Sequence, residues 1–144
     1  MFFVKSVFVA LFVLLAGCSV NKYKVQIAVE NNLRSSSGTY YIMDSSANIP
    51  QGVLAYIEEL LSSNLSSHGF VELKDDTSKE SANYLVSIDL IVDKSNQKLQ
   101  ITILDNTSSN LKKVFVGSVI FEGSIYNIDL DCNINSLFTD KKYC

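Results

Sequence analysis

Tryptophan is absent, and histidine and proline occur once each, at His68 and Pro50, in a chain of 144 residues with three cysteines and six glycines. A single histidine removes the chemistry that needs imidazole in company. No HxxxH, HExxH or CxxC spacing is present, so a metal centre or a catalytic relay finds no partners for His68. Its position at the end of an apolar-periodic stretch fits a helix terminus instead, where an imidazolium is attracted to the carbonyl end of the helix dipole. The Gly-x-Ser-x-Gly elbow of serine hydrolases is missing, and serines gather in runs such as Ser35 to Ser37, which read as solvated loop. A glycine-rich phosphate loop is missing too. Charged residues make up 19% of the chain and the formal net charge is −3. Without a basic stripe to neutralise phosphates, nucleic acid is excluded as a partner. Asp75 with Asp76, and Asp129 with Asp131, carry the oxygen donors a divalent cation prefers. Strand alternation produces the same spacing as the second pair, and nothing singles out any carboxylate pair for glycoside hydrolysis. No heptads or internal repeats occur. The expectation is a protein that is not an enzyme and holds no metal.

What is present begins with a concentrated apolar segment. Met1 to Gly17 carries one positive charge, Lys5, then the run Val7 to Leu15, then small residues Ala16 and Gly17. This is the layout of a signal peptide. The run is well short of the roughly 20 residues that span a bilayer as a helix. Leu15-Ala16-Gly17-Cys18 resembles the lipobox of bacterial lipoproteins. The resemblance implies cleavage between Gly17 and Cys18, diacylglycerol on the Cys18 thiol and an N-acyl chain on the amine thereby freed. Several acyl chains anchor durably where one would not. An ordinary secretory leader is the competing reading. The neutral Ser19 implies the outer membrane, with the domain facing the periplasm, and the periplasmic face of the inner membrane as the alternative. No cofactor is expected beyond these covalent lipids.

Export places the remaining cysteines, Cys132 and Cys144, where disulfides persist. With Cys18 lipidated they are expected to bond to each other, and a bond from Cys144 to a partner chain is the alternative. Loss of the leader with Lys5 makes the mature chain one unit more acidic than the whole. The expected organisation is a signal peptide over 1–17, a lipidated N-terminus and spacer over 18–23, and one periplasmic domain over 24–144.

Within that domain, Lys24 to Glu30 alternates Val25, Ile27 and Val29 with polar or small neighbours, as a strand does. Asn31 to Gly38 reads as loop, and Thr39 to Met43 as a second strand. Asp44 to Asn48 supplies candidate N-caps, and Pro50 suits a first helical turn. Val53, Leu54, Ile57, Leu60, Leu61 and Leu65 then recur at steps of three and four, which predicts an amphipathic helix closed by Gly69. Phe70 to Leu73 turns to strand composition, and Asp75 to Asn83 is a polar loop. Tyr84 to Asp93 alternates, Asn96 begins a turn, and Leu99, Ile101 and Ile103 alternate again, predicting a hairpin. Val114 to Phe121 is apolar on both sides of Gly117 and is expected to lie centrally. Ser124 to Leu130 reads as a further strand or a strand entering a turn, and Ile134 to Phe138 as a short helix pinned by the disulfide. The fold class expected is α+β, one amphipathic helix packed on a mostly antiparallel sheet of roughly four to six strands.

This order resembles a class of small bacterial outer-membrane lipoproteins to which no function has been assigned. The likeness is carried by the lipobox, the strand Gly38-Thr39-Tyr40-Tyr41-Ile42, a helix closing over Leu65 to Phe70, and the strand Ala82-Asn83-Tyr84-Leu85-Val86. It implies location and fold and no catalytic residue. Tethering raises effective concentration near membrane partners without any new contact. The expected function is therefore a non-catalytic accessory or assembly subunit that binds another envelope protein, as in secretion, conjugation, pilus or outer-membrane assembly machinery. The alternative is a carrier or sensor for a lipid, a cell-wall fragment or another small ligand. Tyr40, Tyr41, Tyr84 and Tyr126 are the candidate ligand or partner surface, although strand tyrosines more often pack. Oligomeric state is left open.

Overall fold

Alternating apolar residues give this chain its longest strands, and their pairing sets the register of the whole sheet. The structure, a computed structural model, describes residues 25–34, 37–44, 48–107, 109–139 and 144. Residues 1–24, on which the expected leader, Gly17, Cys18 and the expected spacer fall, lie outside the described residues. Strand β1 spans Gln26–Asn31 and β2 Gly38–Ile42. Helix α1 (Gln51–Ser67) leads to the short β3 (Phe70–Glu72). The long strands β4 (Tyr84–Asp93), β5 (Asn96–Asp105) and β6 (Lys112–Glu122) follow, and helix α2 (Leu130–Phe138) closes the chain.

One six-stranded sheet results, in the order β1-β6-β5-β4-β2-β3. The β1–β6, β6–β5 and β5–β4 pairings are antiparallel, and β4–β2 and β2–β3 are parallel. Two parallel neighbours joined through α1 form a βαβ unit, which the linear order of elements left unspecified. β6 is an interior strand, between β1 and β5.

Register aligns the apolar positions into rows. Val86, Ile103 and Phe115 form one, Ile88, Ile101 and Gly117 the next, and Leu90, Leu99 and Val119 a third. These side chains are buried on one face together with Val53, Ile57, Leu60, Leu61 and Leu65 of α1 and Ile134 and Leu137 of α2. Leu54 is only partly buried. Gly117 makes room where α2 crosses: a Cβ there would stand 3.0 Å from a Phe115 ring carbon and 3.1 Å from a Leu137 methyl.

Several local expectations are corrected. The short closing helix expected over Ile134 to Phe138 is present but starts four residues earlier, at Leu130, so the described residues hold two helices. The N-cap of α2, Asp129, accepts from the Cys132 N–H at 3.1 Å. Ser124 to Leu130 is not a strand: Ser124 accepts from the Tyr126 N–H and starts a 3-10 turn over Ile125–Asn127. The cap of α1 is Pro50 itself, with no side-chain bond, because its φ of −57° already suits helix entry. The β4–β5 turn lies at Lys94–Ser95, with Lys94 at φ 51°, and Asn96 is already in the strand. Val92 is 59% exposed although it keeps the strand's alternation. Gly69, at φ 91°, stops α1 as expected, because a side chain is disfavoured in that conformation. His68 caps the helix, with Nδ1 2.7 Å from the Asn64 carbonyl oxygen, so the ring donates to the helix end.

The Cys132–Cys144 disulfide is formed, with a Cα–Cα distance of 5.7 Å. Among the described residues no helix is long and apolar enough to cross a membrane.

Candidate functional site

The four tyrosines do not form one site. Period-two alternation turns Tyr40 inward and Tyr41 outward on β2. Tyr40 is 1% exposed beneath α1, and its hydroxyl has no hydrogen-bond partner among the described residues. Burial raises its pKa, with the nearby Ser62 hydroxyl opposing and the Glu72 carboxylate reinforcing the shift. Ser62 commits its proton to Glu72 at 3.1 Å. Tyr41 donates to Asp76 at 2.8 Å, and that bond raises its pKa. Tyr84 pairs with Tyr40 across the β2–β4 ladder and meets the Phe70 ring edge-on at 5.7 Å. Tyr126 is 69% exposed beyond the far end of β6.

An unpartnered buried hydroxyl costs about 1–3 kcal/mol of desolvation. Tyr40→Phe is therefore expected to leave stability unchanged or to raise it by roughly 1 kcal/mol, read from the urea midpoint. A loss of that size or more would mean that the hydroxyl is paired.

Among the clefts formed by the described residues, three bear on the candidate site. The first is an open cleft of about 780 Å³ between the β1–β2 loop and the ends of β4, β5 and β6, lined by Arg34, Tyr84, Asp105 and Lys112 among others. Asp105 accepts from the Thr107 backbone and hydroxyl, which hold its carboxyl below the usual range with help from Lys112. The second, about 460 Å³, lies between α1, β2 and the end of β3, and includes Glu58, Glu59, Ser62, Glu72 and Lys74. Burial raises the pKa of Glu58, and Glu72 and Asp44 add to the shift. The third is a groove of about 530 Å³ where α1 meets the start of α2, with Tyr56, Tyr126, Ile128 and Leu130 in its wall.

The candidate cation pairs have structural duties. Asp129 caps α2, Asp131 accepts from the Tyr56 hydroxyl at 2.9 Å, and Asp76 accepts from Tyr41. Among the described residues no group of three or more His, Cys, Asp or Glu is placed to hold a metal ion. Asn83, within the strand motif noted in the sequence, binds β2 to β4. Its side-chain oxygen accepts from the Thr39 N–H at 2.9 Å, and its own N–H donates to the Thr39 hydroxyl.

No protein-family model matches the chain, and no curated protein does. Its fold is similar to solved PelC structures. One, a dodecamer of a PelC point variant from Paraburkholderia phytofirmans, superposes with a TM-score of 0.52 over 79% of this chain and 94% of that one, at 8% identity. The PelC dodecamer from the same organism gives 0.50 over 80% and 92%, at 10% identity. At such identities the likeness is one of fold alone.

Sequence reasoning missed the grouping of Arg34 with Lys112 and of Glu58 with Glu72. Only strand pairing and helix placement bring these residues together, and no spacing in the chain signals it.

Proposed function

We propose that this chain is a lipid-anchored protein of the bacterial envelope that acts by assembling with protein partners and performs no chemistry of its own. The observation that carries this reading is the box Leu15-Ala16-Gly17-Cys18 behind an apolar run too short to remain as a membrane span. The anchor would leave only 19–25 between Cys18 and β1, a tether reaching roughly 25–30 Å at full extension. The domain would then work close to the outer-membrane surface, facing the periplasm. In this reading α1 is an amphipathic cover whose polar side, with Glu58, Glu59 and Ser62, stays open to a partner. Exposed Val71, Ile91 and Tyr126 offer apolar contact area. The fold also fits assembly, since the similar PelC chains are dodecamers.

Intact-mass measurement on the membrane fraction, with crosslinking in intact cells, tests the reading. The wild-type chain is expected to begin at Cys18 with acyl chains attached and to be captured in a discrete envelope complex. Cys18→Ser is expected to lose the acyl mass and leave the membrane fraction. An unlipidated, soluble wild-type chain would overturn the anchor.

A further inference from the structure

Four strands begin or end together at one end of the sheet. β1 stops at Asn31 and β5 at Asp105, while β4 starts at Tyr84 and β6 at Lys112. The last buried row there is Val86, Ile103 and Phe115, on which Phe138 of α2 stacks. Tyr84, Asp105 and Lys112 form the next row outward on the same face. With Arg34, Leu33 and Val114 this row lines the cleft of about 780 Å³. A volume of that size suits a small organic ligand.

Local irregularities bring the cations into it. β6 carries one extra residue: Ile103 stands opposite Phe115 and Leu104 opposite Lys113, so Val114 has no counterpart on β5. Bulges of this kind re-aim side chains. Here the bulge puts Lys112, and not Lys113, on the face of Tyr84 and Asp105. At the end of β1 the Asn31 side-chain oxygen accepts from the Leu33 N–H at 3.0 Å, and the chain turned in this way carries Arg34 to the cleft wall. Asp105 is the carboxylate of that wall and offsets one of the two cations. Its Oδ1 is committed to the Thr107 N–H at 2.8 Å and hydroxyl at 2.6 Å. Glu30 pairs with Val116, one step along from the Asn31–Phe115 pair, and so faces the other side of the sheet. Lys79 and Glu80, in the loop held by the Asn106 side chain, carry opposite charges. The cleft wall is thus cationic on balance in a chain whose formal net charge is −3.

We propose that this cleft binds a small organic anion, a carboxylate or phosphate carried on an apolar body. The Arg34 guanidinium and the Lys112 ammonium hold the charged head, and the planar guanidinium can meet two oxygens at once. The Tyr84 ring, Leu33 and Val114 take the body. Walls of one dominant sign focus the field inside a cleft, which raises the local concentration of the opposite charge. This goes beyond the assembly reading and does not depend on the lipid anchor.

The test is an amide NMR titration of the full lipidated chain in a non-ionic detergent, with inorganic phosphate, acetate, phenyl phosphate and benzoate as probes. Phenyl phosphate or benzoate is expected to shift the amides of Leu33, Arg34, Tyr84 and Lys112 saturably, and to bind more tightly than the ringless ion with the same head. Whichever of the two binds better names the head group. Arg34→Gln and Lys112→Gln are each expected to weaken binding by roughly tenfold, the loss of one charge-assisted contact. Lys113→Gln makes the same change of net charge on the opposite face and is expected to leave binding unchanged. Urea midpoints equal to that of the wild type would show that the variants fold. Shifts scattered over the other lysines, a Lys113→Gln chain that loses as much as Lys112→Gln, or ringless ions that bind as tightly as their ring-bearing counterparts would each overturn the proposal. An acylated chain that binds none of the probes would defeat this inference and leave the anchored-subunit reading standing. A chain that binds them but carries no acyl group would do the reverse.

Discussion

Phe115→Ala is expected to lower the unfolding free energy by about 3–5 kcal/mol, the range for emptying a large aromatic site in a packed core. Phe115 is 1% exposed on β6, in the row with Val86 and Ile103. Its ring lies parallel to that of Phe138, at 5.1 Å between centroids, and thereby holds the last turn of α2 against the sheet. Neighbours can close the void only in part. Gly117, beside the ring, has no side chain to move in, and Leu137 is already buried. Small domains have about 5–15 kcal/mol in total, so this one substitution removes a large share. Urea unfolding checks it: the midpoint should fall with an unchanged slope. A loss under about 1 kcal/mol would mean that α2 does not depend on this contact.

The second large effect concerns the Cys132–Cys144 bond. Reduction, or Cys144→Ser, is expected to cost about 3 kcal/mol, the chain-entropy value for a loop of this length. Two sources of stabilisation compete here, native contacts of the tail and restriction of the unfolded chain. Cys144 is exposed at the terminus, so burial contributes little and the unfolded-state term dominates. Reduction and Cys144→Ser should therefore lower the urea midpoint equally. A much larger loss from reduction than from Cys144→Ser would show that the unfolded-chain account is wrong for this bond.

Strands and helices were readable wherever one face is buried, because burial imposes a period. Val86, Ile88 and Leu90 alternate, and Val53, Ile57, Leu60 and Leu61 step by three and four, and these are the side chains the core encloses. Gly69 stopped α1 where a positive φ was required. Misreadings fell where no period operates. Ser124 to Leu130 has strand composition, yet a Ser124 side-chain bond to the Tyr126 N–H turned it into a 3-10 segment, and local hydrogen bonds of that kind compete with a ladder.

The candidate site was less readable than the fold. Four tyrosines sharing a residue type did not share a place, because one-residue steps on a strand reverse the face, as between buried Tyr40 and outward Tyr41. The grouping of Arg34 with Lys112, and of Glu58 with Glu72, joins residues far apart in the chain.

By itself the sequence determined the positions of most strands and of the first helix, since each is a local pattern, and it supplied the lipobox resemblance on which the proposed export and anchoring rest. Only the tertiary structure decided the strand order β1-β6-β5-β4-β2-β3 and the parallel pairing of β2 with β3 and β4. Those depend on which strands meet, and that choice is made by the shared burial of distant residues and not by any neighbour in the chain.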